Sequence, residues 1–326
     1  MASLLDLLML FGGLGLLLVG GDLLVRGAVA LANRLGVPTL VIGLTVVAFG
    51  TSTPELVVNL IAAIRGDAEV GFGNVVGSNI ANLALLLGIT ALVRPLIVQE
   101  IIIRREVPMM LLTCVAALVL AEDQLLVNRP DNRFDRDDGM VLLLLFGIYL
   151  YYLIGDALRP NVSCLDPAEP GDGRSTPSSP LWRSCGLVLI GLALLMVGGQ
   201  LTVRGATDLA LAAGIPEVVV SLTLVAVGTS LPELITSLAA ARRGESDLAI
   251  GNLVGSNIYN LTFVFGLTAS IASIPVPAGG IVDLIVMLAI SSLLLPLAMS
   301  QRRISRGEGL GLLVLYVGYV SWLVIR

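Results

Sequence analysis

The sequence predicts an all-α, polytopic membrane protein in which ten transmembrane helices form two inverted five-helix repeats. Three observations predict this fold. Of the 326 residues, 56% are hydrophobic and only 13% are charged, whereas soluble globular proteins have roughly 25% charged residues. Ten apolar stretches are candidates for crossing the hydrocarbon core, which takes about 20 residues of helix. A block of the first half of the chain also recurs in the second half.

The charged and metal-binding residue types exclude several other classes of protein. All 19 basic residues are arginines that rarely cluster, so the chain lacks the basic stripe of a nucleic-acid-binding protein. It has no histidine, the usual pH switch and transition-metal ligand. Cys114, Cys164 and Cys185 have neither disulfide-framework nor zinc-site spacing. We therefore expect no cofactor and no nucleic-acid partner, with the lipid bilayer as the surroundings.

The ten predicted spans follow one another through mostly short connections. They cover residues 4–33, 37–64, 68–92, 106–121, 139–157, 184–212, 215–241, 247–271, 278–299 and 308–325. The first span is too long for the apolar region of a signal peptide and lacks a basic start, so we expect it to be retained. Residues 159–182 are rich in Pro, Ser, Gly and Asp. They predict a flexible cytoplasmic linker between a first transmembrane repeat, residues 1–158, and a second, residues 183–326.

The arginines predict the orientation of the chain. If the N-terminus lies outside, the inner loops hold twelve arginines and the outer segments five, as the positive-inside rule requires. Because the number of spans is even, both termini lie on the outer side. We expect a multi-pass protein of the cell (inner) membrane that is functional as a monomer. The acidic segment 122–139 does not match the spacing of an EF-hand calcium loop, so a solvated outer loop is expected there.

The internal repeat is the strongest signal in the sequence. Residues 20–88 align with residues 198–266 at a constant offset of 178, without a gap, and 37 of the 69 positions are identical. GTSTPEL (50–56) matches GTSLPEL (228–234), and GNVVGSNIAN (73–82) matches GNLVGSNIYN (251–260). Since each half has five spans, the second copy enters the membrane from the opposite side, a pattern typical of secondary transporters. Close packing of membrane helices explains the repeated glycines, but it does not explain the repeated Glu, Asn, Thr and Ser.

Two glutamates fall midway along predicted spans, Glu55 in the second and Glu233 in the seventh. A carboxylate at the bilayer centre costs about 2.5–3.5 kcal/mol on insertion scales, so each one needs a counter-charge. The chain has no lysine, and Arg26 and Arg204 fall in other spans. A bound cation or a proton is therefore the expected counter-charge, in preference to a protonated glutamate that only joins two helices.

Helical spacing places other oxygen ligands beside these glutamates. Thr51 and Ser52 precede Glu55 by four and three residues and share its face. Pro54 predicts a kink that releases nearby carbonyl groups, including that of Ala48. The second half repeats the set as Ala226, Thr229, Ser230, Pro232 and Glu233.

The spans that follow add further oxygens at helical spacing. Asn74, Ser78 and Asn82 share one face of the third span. The eighth span repeats them as Asn252, Ser256 and Asn260. Carboxylate, amide, hydroxyl and carbonyl oxygens are the ligands of hard cations, and Ca2+ takes 6–8 of them. Two ionised glutamates neutralise one Ca2+ or are met by monovalent ions, and this competition is a physical basis for exchange.

At these paired motifs the sequence resembles the Ca2+/cation antiporter superfamily, in its Na+/Ca2+ exchanger branch of the prokaryotic type with two α-repeats. The resemblance implies ten helices in inverted halves and exchange of several Na+ for one Ca2+. By motif match, it implies that Glu55 and Glu233 coordinate Ca2+ with Thr51 and Thr229. It assigns the remaining ligands as Ser52, Ser78, Ser230, Ser256 and the carbonyls of Ala48 and Ala226 for Na+, with Asn82 and Asn260 completing the centre. Some members have Asp at the position of Asn260, as potassium-dependent relatives have an acidic residue, so Asn260 argues against potassium cotransport.

Three other functions compete with Na+/Ca2+ exchange. A Ca2+/H+ exchanger could use the same pair of glutamates, and it would depend on a pH gradient and be indifferent to Na+. A passive cation channel would not move Ca2+ against its gradient. An intramembrane hydrolase is disfavoured because the chain has no His or Lys to activate a serine.

Overall fold

The computed structural model describes residues 4–126, 131–158, 180–213 and 226–325, which are almost entirely helical. The helices of the first half are α1 (Leu4–Leu35), α2 (Thr39–Ile42), α3 (Ala48–Thr51), α4 (Thr53–Arg65), α5 (Ala68–Ile80), α6 (Leu87–Val93), α7 (Val107–Leu120), α8 (Asp123–Leu126) and α9 (Arg136–Leu158). Those of the second half are α10 (Leu181–Ala212), α11 (Ala226–Thr229), α12 (Leu231–Arg243), α13 (Ser246–Tyr259), α14 (Phe265–Ile271), α15 (Gly280–Met299) and α16 (Arg306–Ile325). π-helical segments are present at Gly43–Val47, Ala81–Leu86, Ile102–Glu106 and Asn260–Val264.

Within the described residues, seven helical segments are long and apolar enough to cross a membrane, and the bent pair 39–51 and 53–65 makes an eighth. These eight coincide with eight of the ten predicted spans. The fourth predicted span corresponds to α7 and the π-helical segment that runs into it, a continuous helix over residues 102–120 that begins with the charged residues Arg104, Arg105 and Glu106. The seventh, residues 215–241, is described only from residue 226. Residues 159–179 of the predicted linker lie outside the described residues.

Two short antiparallel ribbons join the halves of the chain. Strand β1 (Leu96–Ile97) pairs with β4 (Arg303–Ile304), and β2 (Arg133–Phe134) pairs with β3 (Ile274–Pro275). Each ribbon therefore takes one strand from the first half and one from the second. Because α6 is followed by β1 and α14 by β3, the two ribbons occupy equivalent places in the repeated order of elements.

The helices that carry the GSN motifs occupy the centre of the molecule. In the segment 246–271, 94% of the most apolar window is buried, and in the segment 68–93 the share is 78%. The share falls to 22% in α9 and to 11% in α16. We conclude that α5 and α13, with their π-helical continuations, form the interior, while α9 and α16 lie at the outside of the bundle.

Helices α1 and α10 pack backbone against backbone through glycines spaced seven residues apart. A Cβ atom added to Gly20 would lie 2.9 Å from the carbonyl oxygen of Gly191, and one added to Gly191 would lie 2.6 Å from the backbone nitrogen of Leu24. Small residues permit such close approach, and dispersion contacts then hold membrane helices together.

We expect Gly191→Leu to destabilise the protein, because the new side chain would meet the backbone of α1. Overpacking of this kind costs about 1–3 kcal/mol, and more where the backbone must move. The measurement is the midpoint of thermal unfolding of the purified protein in detergent. Gly12→Leu is the matched control, since a Cβ atom there meets nothing within 4 Å. Equal midpoints for the two variants would contradict the proposed packing.

Candidate cation-binding site

The helix that contains the GTSTPEL motif is broken at Ser52. The segments 39–51 and 53–65 meet at an angle of 42°, and Ser52 has a non-helical backbone with φ −83° and ψ 7°. Ser230 has nearly the same backbone, φ −89° and ψ 6°. The kink predicted from Pro54 is confirmed, and α4 and α12 begin directly after the two breaks. Glu55 and Glu233 lie in the first turns of α4 and α12, where the positive end of the helix dipole stabilises negative charge.

Each serine at a break contacts the glutamate of the other half. Ser52 Oγ donates a hydrogen bond to Glu233 Oε1 at 3.0 Å, and Ser230 Oγ donates one to Glu55 Oε1 at 3.3 Å. The structure therefore brings the two predicted glutamates together in one site that both halves build.

Both carboxyl groups are buried and only partly satisfied. The side chains of Glu55 and Glu233 are 0% exposed, and the Oε2 atom of each has no hydrogen-bond partner. None of the ion pairs in the described parts of the chain includes either glutamate. Buried polar atoms are nearly always paired, so an unpaired carboxylate oxygen at two equivalent positions calls for an explanation.

Neutral oxygens without partners accompany these carboxylates. Asn82 Oδ1, Asn260 Oδ1 and Ser256 Oγ are buried and accept or donate no hydrogen bond. In the part of the chain that the structure describes, no group of three or more His, Cys, Asp or Glu residues could hold a metal ion. The site thus combines two carboxylates with neutral oxygens, a donor set that suits Ca2+ or Na+.

The other predicted hydroxyl groups lie in the same broken helices and in α5. Thr51 is buried and donates to Asn252 Oδ1 at 3.0 Å, whereas Thr229 is half-buried. Ser78 is buried, and its hydroxyl donates to the carbonyl oxygen of Asn74 one helical turn earlier. Ala226 is the first residue of α11.

The carbonyl group of Ala48 is not released by Pro54 as the sequence suggests. Its oxygen accepts the backbone N–H of Ser52 at 3.0 Å and lies 3.4 Å from the Thr51 hydroxyl. The helical hydrogen bonds persist up to Ser52 because the backbone leaves the helix only at that residue. Thr51 has one hydroxyl proton and a nearer acceptor in Asn252, so one lone pair of the Ala48 carbonyl remains available.

Asn74 and Asn252 hold the backbone beside the glutamates. The Nδ2 atom of Asn74 lies 3.4 Å from the carbonyl oxygen of Glu55, and that of Asn252 lies 3.3 Å from the carbonyl oxygen of Glu233. Each amide also donates to a side chain in the neighbouring helix, Asn74 to Asn59 at 2.6 Å and Asn252 to Ser237 at 3.0 Å. These two residues therefore fix the backbone of the two glutamates.

Sequence reasoning missed two asparagines and a change of helix geometry. Asn79 and Asn257 are buried between the halves and hydrogen-bond to each other and to Asn260 and Asn82. The helix becomes π-helical at Ala81 in the first half and at Asn260 in the second. π-helical turns are rare and frequent at functional sites. The missed signal was the identity of both asparagines across the repeat.

Broken helices that bring together two buried carboxylates, each with one unpaired oxygen, inside an apolar helical bundle define a membrane transporter of cations. The model of the family described as "Sodium/calcium exchanger protein" matches residues 5–155 and 183–325. The chain belongs to this family, and it is an integral, multi-pass membrane protein.

Relatives and solved structures resemble the chain over nearly its whole length. It is 38% identical to "Inner membrane protein YrbG" of Escherichia coli, with 97% of this chain and 95% of the relative covered. It is 31% identical to "Sodium/calcium exchanger MaX1" of Methanosarcina acetivorans, with 97% of each covered. The solved structure of the sodium-calcium exchanger NCX_Mj soaked with 10 mM Na+ and no Ca2+ matches with a TM-score of 0.83 and 34% identity, covering 97% of this chain and 98% of that one.

Proposed function

We propose that the protein is a secondary active antiporter that exchanges Na+ for Ca2+ by alternating access. The observation that carries the proposal is the pair of completely buried carboxyl groups of Glu55 and Glu233, each with one unpaired oxygen. One bound Ca2+ would satisfy both oxygens and neutralise both charges. The similarity to relatives named as sodium/calcium exchangers supports the choice of ions.

In this proposal Ca2+ and Na+ compete for one set of oxygens. Glu55 and Glu233 coordinate Ca2+ with the hydroxyls of Thr51 and Thr229. The remaining ligands, which serve Na+ or complete the centre, are Ser52, Ser78, Ser230, Ser256, Asn82, Asn260 and the carbonyls of Ala48 and Ala226. Two carboxylates balance one Ca2+, and when Ca2+ leaves they require monovalent cations in its place.

The proposed architecture is ten transmembrane helices in two inverted halves, with both termini outside and one chain as the functional unit. The repeated order of helix, π-helical segment, helix and strand in the two halves supports it. Inverted halves give a transporter two related conformations that open the same central site to opposite sides. Net movement of charge would couple exchange to the membrane potential by about 2.3 kcal/mol per charge per 100 mV.

The test is uptake of radioactive Ca2+ into proteoliposomes that contain the purified protein. An outward Na+ gradient should drive Ca2+ accumulation, and equal K+ or H+ gradients should not. Accumulation that follows a pH gradient and ignores Na+ would instead show a Ca2+/H+ exchanger. If the Ca2+ concentration inside the vesicles never rises above its equilibrium value, the protein is a channel and the proposal is wrong.

We expect Asn260→Asp to tighten Ca2+ binding, because its buried, unpaired oxygen would become part of a third carboxylate. Ligand charge is a main determinant of Ca2+ affinity, and the half-saturating Ca2+ concentration for uptake should fall about tenfold. The exposed Asn33 offers a matched control, since Asn33→Asp adds the same charge away from the site. If the ion profile of the Asn260 variant is unaltered, this residue does not face the ions.

A further inference from the structure

Asn79 and Asn257 meet each other at the boundary between the two halves. Asn79 Nδ2 donates to the carbonyl oxygen of Asn257 at 3.2 Å, and Asn257 Nδ2 donates to the carbonyl oxygen of Asn79 at 3.1 Å. The two residues are 178 positions apart, which is the offset of the internal repeat. A residue that contacts its own repeat equivalent lies beside the axis that relates the halves. The two asparagines therefore form a reciprocal bridge at the centre of the molecule.

This bridge fixes which way each amide points. A backbone carbonyl oxygen can only accept, so the atom of Asn79 that contacts it must be the NH2 group. The other amide atom of Asn79 is then its Oδ1, and the atom of Asn260 that lies 3.3 Å from it must in turn be an NH2 group. The same reasoning from Asn257 fixes Asn82, whose Nδ2 donates to Asn257 Oδ1 at 2.9 Å.

The bridge also determines the orientation of the two asparagines of the candidate site, Asn82 and Asn260. Because the NH2 groups of Asn82 and Asn260 are engaged by the bridge, their Oδ1 atoms are turned the other way, and both of these oxygens are buried without a partner. A flipped amide would present N–H groups, which repel a cation. All four side chains are at most 1% exposed, so the bridge lies inside the protein, away from bulk water.

We infer that Asn79 and Asn257 are positioning residues that aim the amide oxygens of Asn260 and Asn82, respectively, at the transported cation. This inference rests on the proposed function and deepens it, because it assigns a role to two residues that need not touch an ion. Groups that orient metal ligands through hydrogen bonds typically change metal affinity 10–100-fold when they are replaced.

The test removes the bridging side chain of Asn257 in two backgrounds, the wild-type protein and Asn82→Asp. Asn257→Ala should raise the half-saturating Ca2+ concentration of Na+-driven uptake about tenfold, with the maximal rate largely retained. In an Asn82→Asp background the same replacement should not raise it, because both oxygens of a carboxylate are acceptors and Asn257 has no NH2 group of residue 82 to orient. A purely structural role for Asn257 would give the same increase in both backgrounds, and that result would overturn the inference.

A crossed pair of variants tests which amide each residue orients. Asn260→Asp should leave the effect of Asn257→Ala at its full size, since Asn79 orients Asn260. Protection by Asn260→Asp as strong as by Asn82→Asp would contradict the assignment. Asn257→Ser, whose hydroxyl is too short to reach Asn82, replaces the alanine variant if that does not fold.

Failure of the proposed function can be told apart from failure of this inference. If the wild-type protein shows no Na+-driven uptake, the proposed exchange is wrong. The orientation of the amides is then tested in the same variants by the Ca2+ concentration that half-maximally raises the thermal unfolding midpoint in detergent. The same dependence on background is expected, and its absence overturns the inference.

Discussion

We expect Glu55→Gln to abolish Na+-driven Ca2+ uptake, and Glu233→Gln to do the same. Glutamine has nearly the shape of glutamate and can still accept the hydrogen bond from Ser230 or Ser52. The substitution therefore removes a charge while leaving the packing in place. A buried Ca2+ would then face one carboxylate and carry an uncompensated positive charge, a strongly unfavourable state in a site of low dielectric.

The expected loss is at least a hundredfold in uptake rate at fixed Ca2+, which corresponds to about 2.8 kcal/mol. The measurement is initial uptake into proteoliposomes, normalised to protein that elutes as a single species in detergent. Glu69→Gln is the matched control, because Glu69 also lies in the first turn of a helix but is exposed. Near-normal exchange by both site variants would remove the site assignment, whereas loss in the control would point to an effect unrelated to the site.

The sequence could predict the broken helices and the two glutamates because these features are local. A proline, a pair of hydroxyl residues and a carboxyl group within one turn define a kink and its neighbours without reference to other elements. The repeat then indicates that the same arrangement occurs twice. These predictions depended on nearest neighbours along the chain, and the structure places Glu55 and Glu233 beside their own breaks.

The contacts between halves could not be predicted in the same way. Helical spacing shows which residues share a face, but it does not identify the partner across an interface. That Ser52 serves Glu233 and that Asn79 contacts Asn257 depend on how two helix pairs dock. The π-helical segment at Ala81–Leu86 changes the register after Ser78, and no residue in GSNIAN marks it. Ala48 was expected to have a freed carbonyl because the kink was placed by Pro54 alone, whereas the backbone breaks at Ser52.

Glu106 is a buried carboxylate of a second kind, and the hydropathy of the sequence does not predict it. Glu106, at the end of the π-helical segment that precedes α7, is only 1% exposed. Its Oε1 atom accepts hydrogen bonds from both Nε, at 2.7 Å, and Nη2 of Arg105. Unlike Glu55, this carboxyl group has a permanent cationic partner in the chain. A fixed partner leaves no charge for a mobile ion to neutralise, so burial alone does not identify a transport site.

We expect Arg105→Leu to lower the free energy of unfolding by about 3 kcal/mol, the lower end of the range for removing one partner of a buried ion pair. The lower end applies because the Arg105 side chain is 28% exposed, so the ion pair is only partly buried. The loss arises from the uncompensated carboxylate rather than from the missing attraction. Replacing both residues, as Arg105→Leu with Glu106→Leu, should therefore recover most of the stability, since an apolar pair avoids the cost of burying charge.

Thermal unfolding midpoints of the wild type, Arg105→Leu and the double variant, measured in detergent, separate a loss caused by uncompensated charge from a loss caused by packing. Arg104→Leu is the matched control, because Arg104 pairs with Glu100 at 2.5 Å with 78% and 45% of the two side chains exposed, and such pairs contribute about 0–1 kcal/mol. If Arg105→Leu costs no more than this control, Glu106 is not held by Arg105. If the double variant is as unstable as the single one, packing rather than charge explains the loss. Recovery in the double variant with an unchanged half-saturating Ca2+ concentration would show that the Glu106 carboxylate serves the fold and takes no part in binding the transported Ca2+.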